Sequence, residues 1–141
     1  MTRSLCTALA LSLGLLLAEG SALAQAPAGS GTKLLSPIRG QADLGYLKPI
    51  TKREGGMIVT TIKVKNLSNA PIAGLKVDEF WYDKQGEPVT GAQPFRYRKA
   101  LMPGEVIDVV LKVPTNPKMD RNQYKFEHSN GTIKTKLLPK L

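Results

Sequence analysis

Apolar side chains recur at every second position from Met57 onward, and no other feature of this chain constrains its fold as strongly. A period of two is the signature of a strand with one buried face. Ile58, Thr60, Ile62 and Val64 fall on one side of the first such run, and Val59, Thr61, Lys63 and Lys65 on the other. Ile107, Val109, Leu111 and Val113 alternate with Val106, Asp108, Val110 and Lys112, and Pro114 marks the end of that strand, where a missing backbone donor does least harm. Tyr124, Phe126 and His128 alternate with Lys125 and Glu127, and Ile133, Thr135 and Leu137 with Thr132, Lys134 and Lys136.

Turn chemistry separates these runs. Glu54-Gly55-Gly56 is expected to return the chain from a first strand near Tyr46 to Thr51 into the strand at Met57. Asn66 to Gly74 reads as a loop, Asp83-Lys84-Gln85-Gly86 as a type I turn, and Pro103-Gly104 as another bend. Ser129-Asn130-Gly131 supplies an Asn-Gly turn into a C-terminal hairpin. About seven short strands, with no run of helical periodicity, predict an all-β chain folded as an immunoglobulin-like antiparallel β-sandwich. A small barrel is the alternative, because alternation alone does not say whether a sheet closes.

The N-terminal residues belong to a different grammar. Arg3 precedes an uncharged apolar stretch from Leu5 to Ala18, and Ala22-Leu23-Ala24 is a small-x-small pattern that a signal peptidase accepts. The expected organisation is a signal peptide over 1–24, a flexible linker over 25–45 and the sandwich domain over 46–141. Removing 24 of the 141 residues leaves 117, enough for one domain with one modest core. The single cysteine, Cys6, lies in the leader, so the expected product has neither a thiol site nor a disulfide. A periplasmic or secreted location follows as an expectation, with no later segment able to span a membrane as a helix.

The run Asn66-Leu67-Ser68-Asn69-Ala70-Pro71-Ile72, the strand through Leu75 and Val77 into Trp81-Tyr82-Asp83 and Gly86, and then Leu101-Met102-Pro103-Gly104-Glu105 resemble the FxLYD-type immunoglobulin-like modules of the bacterial envelope. The resemblance covers roughly Met57 to Leu138. It implies an extracytoplasmic binding or spacer module and transfers no catalytic residue. The chain departs from the name-giving motif at Glu79, which stands where those modules carry Phe.

Glu79 is also unusual on physical grounds. Continuing the phase of Leu75 and Val77 points Glu79 and Trp81 into the core, and an unpaired buried carboxylate is costly. Either a bulge or edge position resets the phase, or Glu79 reaches a basic partner such as Arg96 or Arg98. Tyr124, two residues before a core position, is expected as a tyrosine corner, with Asp120 fixing the bend before it. Trp81, with Tyr82, Phe95 and Tyr97, is expected either in the core or in an aromatic patch.

Chemistry-bearing constellations are sparse. His128 stands alone without a Ser-Asp arrangement, and His128, Met57, Met102 and Met119 have no close ligand spacing for copper, so neither catalytic residues nor a metal or other cofactor is expected. Asp78 and Glu79 are adjacent, which on a strand sends them to opposite faces. Charge is the remaining lead: 20 Lys and Arg against 11 Asp and Glu give +9, and the leader removes one of each sign. Lys63 and Lys65, Arg96 and Arg98, and Lys134 and Lys136 are each spaced by two, so each pair projects from one side of its strand, with Lys125 expected beside the last pair. The expected function is a non-enzymatic envelope module that binds or spaces an envelope protein. The alternative is an anionic-surface binder using these six cations on lipid head groups, lipopolysaccharide or acidic polysaccharide. A metal carrier centred on His128 comes third, and nucleic acid is not an expected partner.

Overall fold

The computed structural model describes residues 34–141, and the expected leader and the linker residues up to 33 lie outside the described residues. Nine strands follow in order: β1 (Gly40–Leu47), β2 (Ile50–Glu54), β3 (Met57–Asn66), β4 (Lys76–Tyr82), β5 (Pro88–Gly91), β6 (Phe95–Arg96), β7 (Val106–Pro114), β8 (Arg121–His128) and β9 (Gly131–Leu138). They form one mixed sheet in the order β2, β3, β1, β9, β8, β4, β5, with β7 on the second edge of β3 and β6 on β4. The sheet curls so that the inner side chains of β1, β3 and β7 meet those of β4 and β8, giving the all-β sandwich that the alternation predicts.

The core is the inward set of that alternation. Ile62, Val64, Val109, Leu111, Leu44, Leu75 and Val77 are buried together, and Ile72 and Leu101 close one end through a bridge between their backbones. The Tyr46 and Phe126 rings meet across the layers, with centroids 5.5 Å apart. β-Branched residues dominate β3, which suits a pleated surface packed on one face. Gly55 and Gly56, with φ of 57° and 76°, form a two-residue loop between the paired residues Glu54 and Met57, a left-handed geometry that a side chain would strain.

Three expectations need correction. Residues 40–45 are strand and not linker: Ala42 and Leu44 are fully buried, so the ordered body begins before Tyr46. The single first strand is two strands, β1 and β2. Both lie on the same edge of β3, and their register slips by one residue across Lys48 and Pro49, where proline offers no ladder donor. The sandwich is not wholly antiparallel, because β1 and β9 pair in parallel from Gly40 opposite Gly131 to Leu47 opposite Leu138. That pair joins the first strand to the last, a neighbour relation that periodicity does not encode.

The C-terminal hairpin is also built differently in detail. Gly131 pairs with His128, so Ser129 and Asn130 make the loop. β8 and β9 pair only over these residues and their neighbours Glu127 and Thr132. Beyond that they splay, β8 following β4 and β9 following β1, and this divergence is what divides the layers.

Candidate binding face and buried carboxylate

Pairing β1 between β3 and β9 brings two of the three expected cation pairs onto one surface. Gly45 is the partner of Lys65 on β3 and of Lys136 on β9, so the three residues form one row across the sheet. Two strand spacings set the Lys65 and Lys136 backbones roughly 10 Å apart. Lys134 follows in the next outward row opposite Asp43, and Lys63 lies two residues from Lys65 on the same outer face.

Two leucine side chains close over the glycine in the middle of the row. A Cβ on Gly45 would lie 2.5 Å from Leu138 Cδ1 and 3.1 Å from Leu67 Cδ1. Leu67 is held there by its own N–H, which donates to the Asp43 carbonyl at 3.0 Å, while the Asp43 N–H donates to Ser68 Oγ at 2.8 Å. The cations therefore border apolar surface. Shallow grooves lined by Leu47, Lys48, Leu137, Leu138 and Pro139, and by Asp43, Leu67, Lys134, Thr135 and Lys136, run along β1 and β9.

The charges on this face are unequal. Lys63 Nζ lies 2.7 Å from Asp108 Oδ1, so its field is locally offset. Among the described residues, no carboxylate lies within salt-bridge distance of Lys65, Lys134 or Lys136. Ammonium groups this close reinforce one another, because salt screens over about 8 to 10 Å.

Arg96 and Arg98 do not join them. Arg96 pairs with Lys76 in the other layer, and Arg98 lies just beyond β6. On that outer face the lysines are matched, while Arg96 and Arg121 make no salt bridge among the described residues. Lys76 Nζ is 2.8 Å from Asp78 Oδ2 and 3.4 Å from Glu127 Oε2, and Lys125 Nζ is 2.7 Å from Glu127 Oε1. Hydrogen bonding from Lys125 and then Lys76 holds the Glu127 carboxyl below the usual range, and bonding to Asp78 raises Lys76. Lys125 is thus neutralised on its own strand and adds nothing to the field of Lys134 and Lys136.

Between the layers sits Glu79, fully buried. The strand phase runs straight through it: the only register irregularity in the pairing of β4 with β5 falls between Trp81 and Tyr82, beyond Glu79. Neither Arg96 nor Arg98 answers the charge. Glu79 Oε1 accepts from Thr60 Oγ1 and from Asn122 Nδ2, each at 2.9 Å, while Oε2 and the buried Trp81 Nε1 have no partner among the described residues. Trp81 is half-buried, as are Tyr82, Phe95 and Tyr97.

Tyr124 points into this cluster and not to a corner. Its hydroxyl accepts from Asn122 Nδ2 at 2.7 Å, and desolvation, then the Glu79 charge, raises its ionisation above the ordinary phenol value. Asp120 ties the preceding loop through its backbone, its N–H donating to the Tyr82 carbonyl at 2.9 Å, while the residue is exposed.

His128 is engaged on both ring nitrogens. Nε2 donates toward the carbonyls of Gly40 (2.8 Å) and Thr132 (3.1 Å), and Nδ1 accepts from the Asn130 N–H at 3.4 Å, an assignment that fixes the Nε2–H tautomer. The ring staples the start of β1 to the hairpin of β8 and β9. Among the described residues, no three His, Cys, Asp or Glu side chains converge on a metal-sized site.

Sequence reading missed Gly45, Leu67 and Leu138, which shape the cationic row, and Thr60 and Asn122, which answer Glu79. A glycine within an alternating run is the one signal that could have marked the row.

No family model matches the chain, and no curated protein matches it. Among solved structures, IrmA from Escherichia coli is similar at 13% identity and a TM-score of 0.48, covering 72% of this chain and 97% of that one. At that distance the likeness carries no information about role.

Proposed function

We propose that this chain is an exported, non-enzymatic binding module of the bacterial envelope that engages an anionic envelope surface through the outer face of β3, β1 and β9. The observation that carries this reading is the row of Lys65, Gly45 and Lys136 beside Lys134, whose ammonium groups make no salt bridge among the described residues, although Asp43 is the register partner of Lys134. The opposite face pairs Lys76 and Lys125 internally, and its exposed Arg96 and Arg121 stand apart from any comparable row of lysines. Of the two expected partners, an envelope protein or an anionic envelope polymer, this asymmetry favours the anion. The exposed Leu67 and the half-buried Leu138, which flank Gly45 on the lysine face, suit an amphiphilic anion such as a lipid phosphate head group.

Co-sedimentation with vesicles containing phosphatidylglycerol, against vesicles of phosphatidylcholine alone, tests the reading at physiological salt. Binding to the anionic vesicles is expected, falling at least about tenfold in Lys134→Glu/Lys136→Glu and by less than about threefold in Arg96→Glu/Arg98→Glu. Equal binding to both vesicle types, or equal losses in the two variants, would overturn it.

A further inference from the structure

β7 is nine residues long and pairs with β3 alone among the described strands. The phase of that ladder is fixed at its ends: the Asn66 N–H donates to the Glu105 carbonyl at 3.1 Å, and the Thr115 N–H to the Gly56 carbonyl at 2.9 Å. Ile107, Val109, Leu111 and Val113 therefore turn their backbone groups toward β3. Val106, Asp108, Val110 and Lys112 turn theirs away from it, to an edge with which no other described strand pairs. Their side chains share the outer face, where Val106 and Val110 are 43% and 44% exposed.

We propose that this edge pairs with β7 of a second copy of this chain, antiparallel about a two-fold axis at Val110. In that register Val110 faces the partner's Val110, Asp108 faces the partner's Lys112, and Lys112 faces the partner's Asp108. Directly opposed residues exchange both backbone hydrogen bonds, and opposite charges so placed stabilise a sheet. The ladder ends where Val106 meets the partner's Pro114, which has no N–H to give.

Other registers are worse. The symmetric ones on either side set Asp108 against the partner's Asp108 or Lys112 against the partner's Lys112, and a slip of one side-chain pair sets each charge against an apolar residue. Charges that guard an edge against unrelated strands thus match one occupant, another β7. Lys63 binds Asp108 through Oδ1 alone, leaving Oδ2 without a protein hydrogen bond among the described residues. The two-fold is normal to the sheet, so both lysine faces lie on the same side of the dimer, although the pairing does not depend on what those faces bind.

Sedimentation equilibrium of the full chain, from about 1 μM to about 1 mM, tests the pairing. The expected result is a mass that doubles with concentration. Val110→Pro removes an N–H that β3 does not use, so this variant is expected to keep its β circular dichroism and remain monomeric throughout. Lys112→Asp is expected to weaken association at least about tenfold, and Asp108→Lys/Lys112→Asp to restore it to within about threefold of the starting chain. A chain that is monomeric at every concentration, a dimer indifferent to Lys112→Asp, or a double swap that fails to recover would each overturn the proposal.

Discussion

The two outer faces of the sandwich spend similar residues differently. On the face of β4 and β8, Lys76 and Lys125 are held by Asp78 and Glu127, so charge is used to fix neighbouring strands. On the face of β3, β1 and β9, Lys65, Lys134 and Lys136 border leucines and a glycine, and only Lys63 is matched, by Asp108. A lysine count does not say which lysines are matched. The difference lies in which strands are neighbours, because side chains in one row across a sheet meet only if their strands pair.

The largest expected effect comes from closing the gap at the centre of the lysine row. Gly45→Val places side-chain atoms against the ends of Leu138 and Leu67, which are not fully buried, and is expected to cost about 1 kcal/mol in urea denaturation, the low end of overpacking. A change below about 0.5 kcal/mol would mean that the leucines move aside freely and that glycine does not set the spacing of the row.

Lysine removal sharpens the contrast. Lys76→Met leaves Asp78, whose side chain is only 9% exposed, without its cation, so the urea midpoint is expected to fall. Lys65→Met removes no ion pair, and its midpoint is expected to stay in place while vesicle binding weakens. Equal midpoint shifts in the two variants would erase the distinction between the faces.

Acid titration addresses the same contrast through Glu127. Its folded ionisation lies below the ordinary value of 4.5, so its contribution is fully present above that value and is lost as pH falls through the lower folded one. Urea midpoints measured over that acid range are expected to decline less steeply in Glu127→Gln than in the unaltered chain. An identical slope would detach Glu127 from the stability of its face. The smallest effect belongs to Lys63→Met, where both partners of the ion pair are 52% exposed and a loss below about 0.5 kcal/mol is expected from denaturation.

Much of the fold was legible because the inward set of each long strand is a run of Ile, Val and Leu. β3 and β7 can be read from their residues alone, and Ile58, Ile62, Val64, Val109, Leu111 and Val113 are buried as their phase requires. β1 was not legible. Its buried set is short and includes Ala42, its outward set includes Gly45, and its neighbour β9 lies at the other end of the chain.

The site was legible to the same depth. Spacing by two placed Lys63 with Lys65 and Lys134 with Lys136, since that depends only on the pleat. Which pairs share a face depends on β1 standing between β3 and β9, and this long-range pairing also separated Arg96 and Arg98 from the rest. At Glu79 the local phase was right and the inference from cost was wrong. Thr60 and Asn122, contributed by strands distant in sequence, supply donors to Oε1, while Oε2 stays unpartnered among the described residues.

The most direct measurement is a map of backbone amide shifts as an anionic short-chain phospholipid is titrated into the isotope-labelled protein. The account requires the largest perturbations at Gly45, Lys65, Lys134 and Lys136, with Lys76, Arg96 and Lys125 nearly still. Perturbations concentrated on β4 and β8, or spread evenly over both faces, would contradict it.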